Sequence, residues 1–418
     1  MAIHPIISAL RRHKAGTVLI TLQIALTLAI VCNCLFLISG KLEKISRPSG
    51  LNESDLLMVA TTHTGINADT AVGKAKLEAS IAGDLSALRR LPDVVDAYET
   101  NGLPLSNNTS SLHLRLGPDV RNGPGSGIFD ADAHTLPTLG LSLIAGRNFR
   151  DDEVTGHSGL GVINPVVIIV TKHLADQLFP HGDALGKRVY FSSTTVPSTI
   201  IGIVDRMQTS HAESVLPDRV WNSTLVPIQL VDSSRYYVVH SKPGRLAAAM
   251  KSVPASLYTQ DPQRVIPDGA DENAGVRSFA QIREQAYQSD RTLAVAMGWI
   301  SAILLVVTAV GIVGLSSFWV GQRRRQIGIR RALGATRSNI LGYFHAENLV
   351  ISAVGVVIGT ALAIGMNLWM VTQFEMDHLP VPYVLAGAVI LLLLGQGAVW
   401  APALRASKVS PVEATRSA

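Results

Sequence analysis

Four stretches of this chain contain no charged residue: 15–38, 293–320, 348–371 and 381–404. The first reads "AGTVLITLQIALTLAIVCNCLFLI" and the second "LAVAMGWISAILLVVTAVGIVGLSSFWV". A helix needs about 20 apolar residues to cross a hydrocarbon layer about 30 Å thick. All four stretches are long enough. A core helix of a water-soluble domain is usually shorter and keeps a polar face. The expected fold is therefore an α-helical membrane protein with four transmembrane helices and a large α/β extracytoplasmic domain inserted between helices 1 and 2. The first stretch is longer than the ~7–15 residues of a signal-peptide apolar region, and no A-x-A site follows it. It is read as an uncleaved span.

The positive charges lie where such a topology needs them. "GQRRRQIGIRRALGATRSNI" (321–340) holds six arginines and no acid. Short cytoplasmic loops beside membrane spans collect Lys and Arg. Arg11, Arg12 and Lys14 precede the first span, and Arg405, Lys408 and Arg416 follow the fourth. The short loop between spans three and four instead has Glu375 and Asp377. Both termini and the arginine loop are thus expected in the cytoplasm. The chain divides into a cytoplasmic N-terminus (1–14), TM1 (15–38), an outer domain (39–291) and TM2 (293–320). A cytoplasmic loop (321–345), TM3 (346–371), an outer loop (372–380), TM4 (381–404) and a cytoplasmic C-terminus (405–418) follow. The net charge of +5 is largely a topology signal. The arginines have no aromatic stacking partners beside them, so nucleic acid is not an expected partner.

The outer region has no cysteine, and Cys32 and Cys34 lie too close on one helix for a standard disulfide. It must fold by core packing alone, which its size permits. "LLMVATTHT", the helical pattern at 71–91 and "PDVVDAYET" make one strand–helix–strand unit, and "RYYVVHSK" with 244–260 begins a second. One α/β subdomain is expected from 50–140 and 219–275, with a β-richer subdomain inserted at 141–218. A stalk helix over 276–292 is expected to run on into span two.

Signs of catalysis are sparse. "GDALGK" (182–187) has one residue too few between its glycines for a phosphate loop, and Arg188 stands where Ser or Thr would meet magnesium. It is read as a turn. There is no H-E-x-x-H and no G-x-S-x-G, so no catalytic residue and no metal ligand is assigned.

Within the spans, Gly355, Gly359 and Ala363 recur at four-residue steps and place small side chains on one helix face. They fit packing within one subunit or a dimer interface. Gln23 and Asn33 fit interhelical hydrogen bonding or the lining of a substrate path. Glu347, at the start of span three, is expected to pair with a nearby arginine. On a single helix through the arginine loop, Ile329, Ala332, Leu333, Thr336 and Ile340 would share one face. That face fits a membrane-surface anchor or a docking site for a partner protein. Gly328 and Gly334 point to a break near "LGA".

"RRRQIGIRRALGATRSNILGYFHAENLVISAVGVVIGTALA" resembles the cytoplasmic loop and third span of MacB/FtsX-type ABC transporter permeases, whose pattern is R-x-x-E-I-G-I-R-[KR]-A-[LI]-G-A. "PALRASKVSPVEATR" resembles the family's C-terminal end, and stretches within 141–207 its periplasmic core domain. Gln326 stands where the family usually has Glu, and Thr415 where it often has Leu. The resemblance implies the permease subunit of an ABC exporter in the bacterial inner membrane. ATP and magnesium would be held by a separate ATP-binding subunit coupled through Ile327, Gly328, Ile329, Arg330, Arg331, Ala332, Leu333 and Gly334. It further implies a second permease copy or paralogue, a periplasmic adaptor, contact with membrane lipids, and a peptide, antibiotic, haem or lipid-like substrate. A signal-transmitting permease of the FtsX type is the alternative, and smaller outer domains are typical of that branch.

Overall fold

The computed structural model describes residues 14–157, 162–212, 217–269, 274–374 and 378–408. Arg11, Arg12, Glu375, Asp377, Thr415 and Arg416 lie outside them. The chain forms two compact units, one of residues 47–288 and one of 1–46 with 289–418.

In chain order the elements begin with helix α1 (Lys14–Ser46), strand β1 (Leu56–Thr62), helix α2 (Ala71–Arg89) and strand β2 (Val94–Thr100). Next come β3 (Ser111–Arg115), β4 (Gly125–Asp130), α3 (Thr135–Leu139), β5 (Leu143–Gly146), β6 (Thr155–His157), β7 (Val167–Thr171) and α4 (Lys172–Leu178). Then follow β8 (Arg188–Phe191), β9 (Pro197–Val204), β10 (Ser223–Val226), β11 (Ile228–Leu230), β12 (Ser234–Ser241), α5 (Leu246–Gln260) and β13 (Val276–Ser278). The chain continues through α6 (Phe279–Ala286), α7 (Gln288–Gln322), α8 (Arg324–Ala332), α9 (Arg337–Phe374) and α10 (Val381–Ser407).

The outer unit is built on two large sheets, and β6 and β11 pair in parallel as a small third one. The first has the order β13-β1-β12-β2, with every neighbouring pair antiparallel. β1-α2-β2 and β12-α5-β13 are each a split strand–helix–strand unit with one strand of the other unit between. Together they make a ferredoxin-like βαββαβ fold with a long insertion between β2 and β12. Strand alternation places Leu57, Val59, Tyr237 and Val239 on the helix side, against Ile81 and Leu88 of α2 and Val253 and Leu257 of α5. Thr70 caps α2 by accepting the Gly73 N–H at 3.0 Å.

The insertion is a barrel. Its sheet runs β5-β9-β7-β10-β4-β3-β8, and β8 pairs back onto β9. β9 is long enough to hold β8 at Pro197–Thr199 and β5 at Gly202–Val204 on one edge, with β7 on the other. Closure leaves no open edge in the ring. Leu114, Ile128, Ile168, Val170, Phe191, Ile200 and Val226 form its core. The boundaries therefore differ from those expected: β3, β4 and β10 lie outside 141–218 yet belong to the barrel. β4, "GSGIFD", and β10, "STLV", are short and poor in large apolar residues, and their side chains are buried because neighbouring strands enclose them.

The two sheets are joined at the end of β2. Thr100 donates to the Asp130 carbonyl at 2.9 Å, and Asn101 bonds both to the Ile128 carbonyl (3.0 Å) and to the Asp130 N–H (3.1 Å). Glu99 and Asp130 are both buried here. Desolvation raises the Asp130 carboxyl to about 7, and burial with the Asp130 charge raises Glu99 well above its ordinary range. Since the folded pKa of Asp130 exceeds the unfolded one, the fold favours its protonated form. The penalty for ionising it is absent below about pH 4 and grows until about pH 7. Asp130→Asn should therefore raise stability at pH 8 by about 2–4 kcal/mol and leave it nearly unchanged at pH 4. Thermal unfolding of the full chain in detergent at both pH values tests this. An equal effect at both would contradict it.

The stalk expected over 276–292 is two helices. Ser278 and Gln281 form a capping box that starts α6, and α6 stops at Tyr287, whose backbone (φ −107°, ψ 9°) leaves helical geometry. The Tyr287 ring is buried, and its hydroxyl reaches Gln208 Oε1 at 3.4 Å.

Among the described residues of the helical unit, α1, α7, α9 and α10 are the four helices long and apolar enough to cross a bilayer. α1 is central: Ile20, Ile24, Leu28, Ala29 and Cys32 are buried among Ile312 of α7, Ile351 and Ala363 of α9, and Leu391 and Val399 of α10. Lys41 and Lys44 of α1 both reach Asp290 of α7. Pro380 and Pro382 lie at the start of α10, where a missing N–H costs nothing.

Candidate functional site: a basic hairpin between two long helices

The arginine segment folds as a short helix in a hairpin with α9. Arg323 (φ −98°, ψ 8°) separates α7 from α8, although the hydrogen-bond ladder persists across it, Arg323 N to Trp319 O (3.0 Å) and Ile327 N to Arg323 O (2.9 Å). α8 ends because Gly334 takes φ +95°, a left-handed conformation that glycine adopts at little cost. Its N–H bonds to the Arg331 carbonyl (3.1 Å) and that of Ala335 to the Arg330 carbonyl (3.0 Å), the paired bonds of a Schellman stop. Thr336 then starts α9, its hydroxyl accepting the Asn339 N–H at 3.2 Å.

This geometry splits the expected coupling residues. Ile327 and Gly328 turn inward, Ile327 joining the bundle core with Ile340 and Phe344. Ile329, Arg330, Ala332, Leu333 and Gly334 are exposed, while Arg331 is half-buried. Leu333 is 83% exposed, the most of any large apolar side chain among the described residues, and Ile329 is 48% exposed. The stripe expected to include Thr336 and Ile340 does not form. The turn at 333–336 puts Ile340 on another helix, where it is buried.

Two side-chain contacts pin α8 to α9. Arg323 Nη1 lies 3.0 and 2.8 Å from the Glu347 carboxylate oxygens, with both side chains largely buried. The Arg330 guanidinium sits 5.0 Å from the Tyr343 ring centroid. From 291 to 346 the sequence has no acid. Glu347 is thus the first carboxylate in the sequence after Asp290, and an apolar tip protrudes from an arginine-rich hairpin.

The small-residue face of α9 is covered within the chain. A Cβ added at Gly355 would lie 2.9 Å from Ile24 Cβ, and one at Gly359 2.8 Å from the Ala25 carbonyl oxygen. Ala363 is fully buried, and its carbonyl accepts the Asn33 amide at 3.2 Å. These residues pack α9 on α1, so this face is not open to a second copy. Gln23 turns to α7, donating to the Val307 carbonyl at 3.0 Å and lying against Gly311. Gln23 and Asn33 therefore bond to different helices.

Sequence reasoning missed one constellation in the outer unit. Ser80 Oγ is 3.3 Å from His63 Nε2, and His63 Nδ1 is 2.8 Å from Asp261. The order matches a hydrolase triad, but the chemistry does not follow. His63 is buried, and desolvation lowers its pKa. Ser80 lies inside α2, whose amides are spent on helix bonds and leave no oxyanion donors. The same spot holds Asp84, which takes a bidentate contact from Arg264 (2.9 and 2.7 Å) and the Tyr237 hydroxyl (2.8 Å). This is a polar network that fixes α2 to the sheet. The phosphate-loop lookalike is a turn between α4 and β8, with Gly182 and Gly186 at positive φ and Lys187 paired to Asp183 at 3.0 Å.

Residues 17–255 match the family of MacB-like periplasmic core domains, and residues 298–411 match the FtsX-like permease C-terminal family. The macrolide export ATP-binding/permease protein MacB 1/2 of Paracoccus denitrificans is 25% identical over 415 residues, which cover 97% of this chain and 57% of that protein. The ABC transporter permease YvrN of Bacillus subtilis is 22% identical over 419 residues, 97% of this chain and 96% of that protein. The periplasmic region of MacB from Actinobacillus actinomycetemcomitans superposes with a TM-score of 0.34 at 14% identity, covering 58% of this chain and 96% of that one. The chain thus spans 57% of the Paracoccus protein's length. With the core-domain family matched over more than half of its residues and the permease family over most of the remainder, the chain belongs to the MacB/FtsX-type ABC transporter permeases.

Proposed function

We propose that this chain is the membrane subunit of an ABC exporter and that a separate ATP-binding subunit docks on the tip of α8. The observation that carries the reading is the exposure of Ile329 and Leu333 on a basic hairpin between two apolar helices. Unsupported, two such side chains in water are unfavourable, and burying each is worth about 1.5–3 kcal/mol. The arginine distribution supports a cytoplasmic position for this tip and for both termini, in a bacterial inner membrane, with residues 47–288 outside. YvrN, a permease matched over nearly its full length, supports a chain of this size working with an ATPase on another polypeptide. ATP and magnesium would bind there. A second permease, identical or paralogous, and a periplasmic adaptor complete the proposed assembly. The substrate is of the kind extruded from the outer leaflet or periplasm, a peptide, antibiotic, haem or lipid-like molecule. Purified with its ATP-binding subunit in detergent, the chain should sustain ATP turnover that is missing when the chain is purified alone. Turnover by the chain alone, lost on Lys187→Ala, would contradict the reading and restore the 182–187 loop as a nucleotide site.

A further inference from the structure

Displacement of α8 has two covalent outlets, back into α7 through Arg323 and onward into α9 through 333–336. The first is backed by a continuous backbone ladder, and side chains reinforce the second. Arg323 and Arg330 are seven residues apart and share a face, as do Tyr343 and Glu347, four apart. The Arg323–Glu347 and Arg330–Tyr343 contacts are therefore successive rungs between the same two helix faces. The ion pair is the stiffer rung. Its side chains are only 11% and 4% exposed, and separating them would strand each charge in a low-dielectric surround.

α9 is joined to α1 in turn. Gly355 and Gly359 bring its backbone against Ile24, Ala25 and Leu28, and Asn33 bonds across to the Ala363 carbonyl. α7 approaches α1 much less closely along its length. Its polar ties to α1 include Gln23 to the Val307 carbonyl, Thr27 to Thr308, and Lys41 and Lys44 to Asp290.

We infer that the Arg323–Glu347 pair and the Arg330–Tyr343 contact form a latch that makes α8 and the first turns of α9 one moving body, so that a push on α8, which the backbone ladder carries into α7, is also delivered through α9 to α1. The inference rests on the docking role of α8. Within it, Glu347 and Tyr343 are positioning residues: they touch no partner and transmit what α8 receives.

The test separates docking from transmission. In a Cys34→Ser background, with Cys32 buried, an environment-sensitive fluorophore is placed on Gly40→Cys of α1 or Gly298→Cys of α7. At both positions an added side chain meets no atom within 4 Å. The signal is read with the ATP-binding subunit bound, before and after trapping with ATP and vanadate. Glu347→Gln and Tyr343→Leu should each retain the ATP-binding subunit at wild-type stoichiometry and elute as a single species. Their response at Gly40 should fall at least about fivefold while that at Gly298 persists. The exchange Arg323→Glu with Glu347→Arg should restore the Gly40 response, a rescue that a general loss of stability would not show. An undiminished Gly40 response in both single variants overturns the inference. So does release of the ATP-binding subunit from either, because the latch would then be part of the docking surface. Failure of the unsubstituted chain to hold the subunit would instead sink the docking reading, and it is seen before any latch residue is changed.

Discussion

Replacing Ile329 and Leu333 together by Asp should strip the ATP-binding subunit from the permease and leave the permease folded. Neither side chain is buried in the chain's own core, at 48% and 83% exposure, so the substitutions remove little from the fold. In the complex each apolar side chain is worth about 1.5–3 kcal/mol when buried, and a carboxylate forced into the same contact adds a desolvation cost. The two changes together should weaken binding by at least about a hundredfold, since each tenfold needs only about 1.4 kcal/mol. Arginines near the docked tip would draw some of that cost back by pairing with the new carboxylates, which is why two substitutions are used. Arg330→Ala acts at the rim and should give a mild, salt-dependent loss. Co-purification in detergent reads the outcome. Wild-type stoichiometry in the double variant would leave the hairpin as a membrane-surface anchor.

Gly359→Leu should have the largest effect on the membrane unit. A Cβ there would sit 2.8 Å from the Ala25 carbonyl oxygen and 2.9 Å from Leu28 Cβ, and three further heavy atoms must follow it. The nearest obstacle is backbone, so relief requires α9 and α1 to move apart. Overpacking of this kind costs about 1–3 kcal/mol when side chains can yield, and more when they cannot. Separation would also break the Asn33 bond to Ala363. Gly298→Leu, on α7 with nothing within 4 Å, is the matched control and should be nearly neutral. Thermal unfolding in detergent compares them. If both variants unfold together while only Gly359→Leu loses a dimer, the glycine face serves a second copy and the α1 packing is incidental.

The spans were legible because a run of charge-free residues needs no knowledge of its neighbours: length against bilayer thickness suffices. The stop at Gly334 was legible for a similar local reason, a glycine just beyond a helical run. What the sequence did not show depends on contacts between distant segments. β3, "SLHLR", and β4, "GSGIFD", have weak strand signatures and join the barrel because β8 closes onto β9 and β10 seats between β4 and β7. The stalk is interrupted at Tyr287, whose ring is buried, and a ring's burial is not a local property. Glu347 was expected to meet an arginine, but only the kink at Arg323 selects which one among six. Likewise, spacing alone left Gly355 and Gly359 open between two partners. The observed contact with Ile24 and Ala25 decides for α1. The Ser80–His63–Asp261 alignment was invisible for the same reason, since its members come from α2, the end of β1 and the residue after α5.

In the proposed assembly the tip of α8 faces the cytoplasm and is covered there by an ATP-binding subunit. Leu333→Cys, in the Cys34→Ser background, reports on both halves at once. The position is the most exposed apolar site described, and a cysteine keeps it small and uncharged. Membrane-impermeant maleimide should label it in inside-out vesicles and not from the outer face of intact cells. Labelling should then fall sharply when the ATP-binding subunit is bound. Labelling from outside, or labelling that the bound subunit leaves unchanged, would contradict the account.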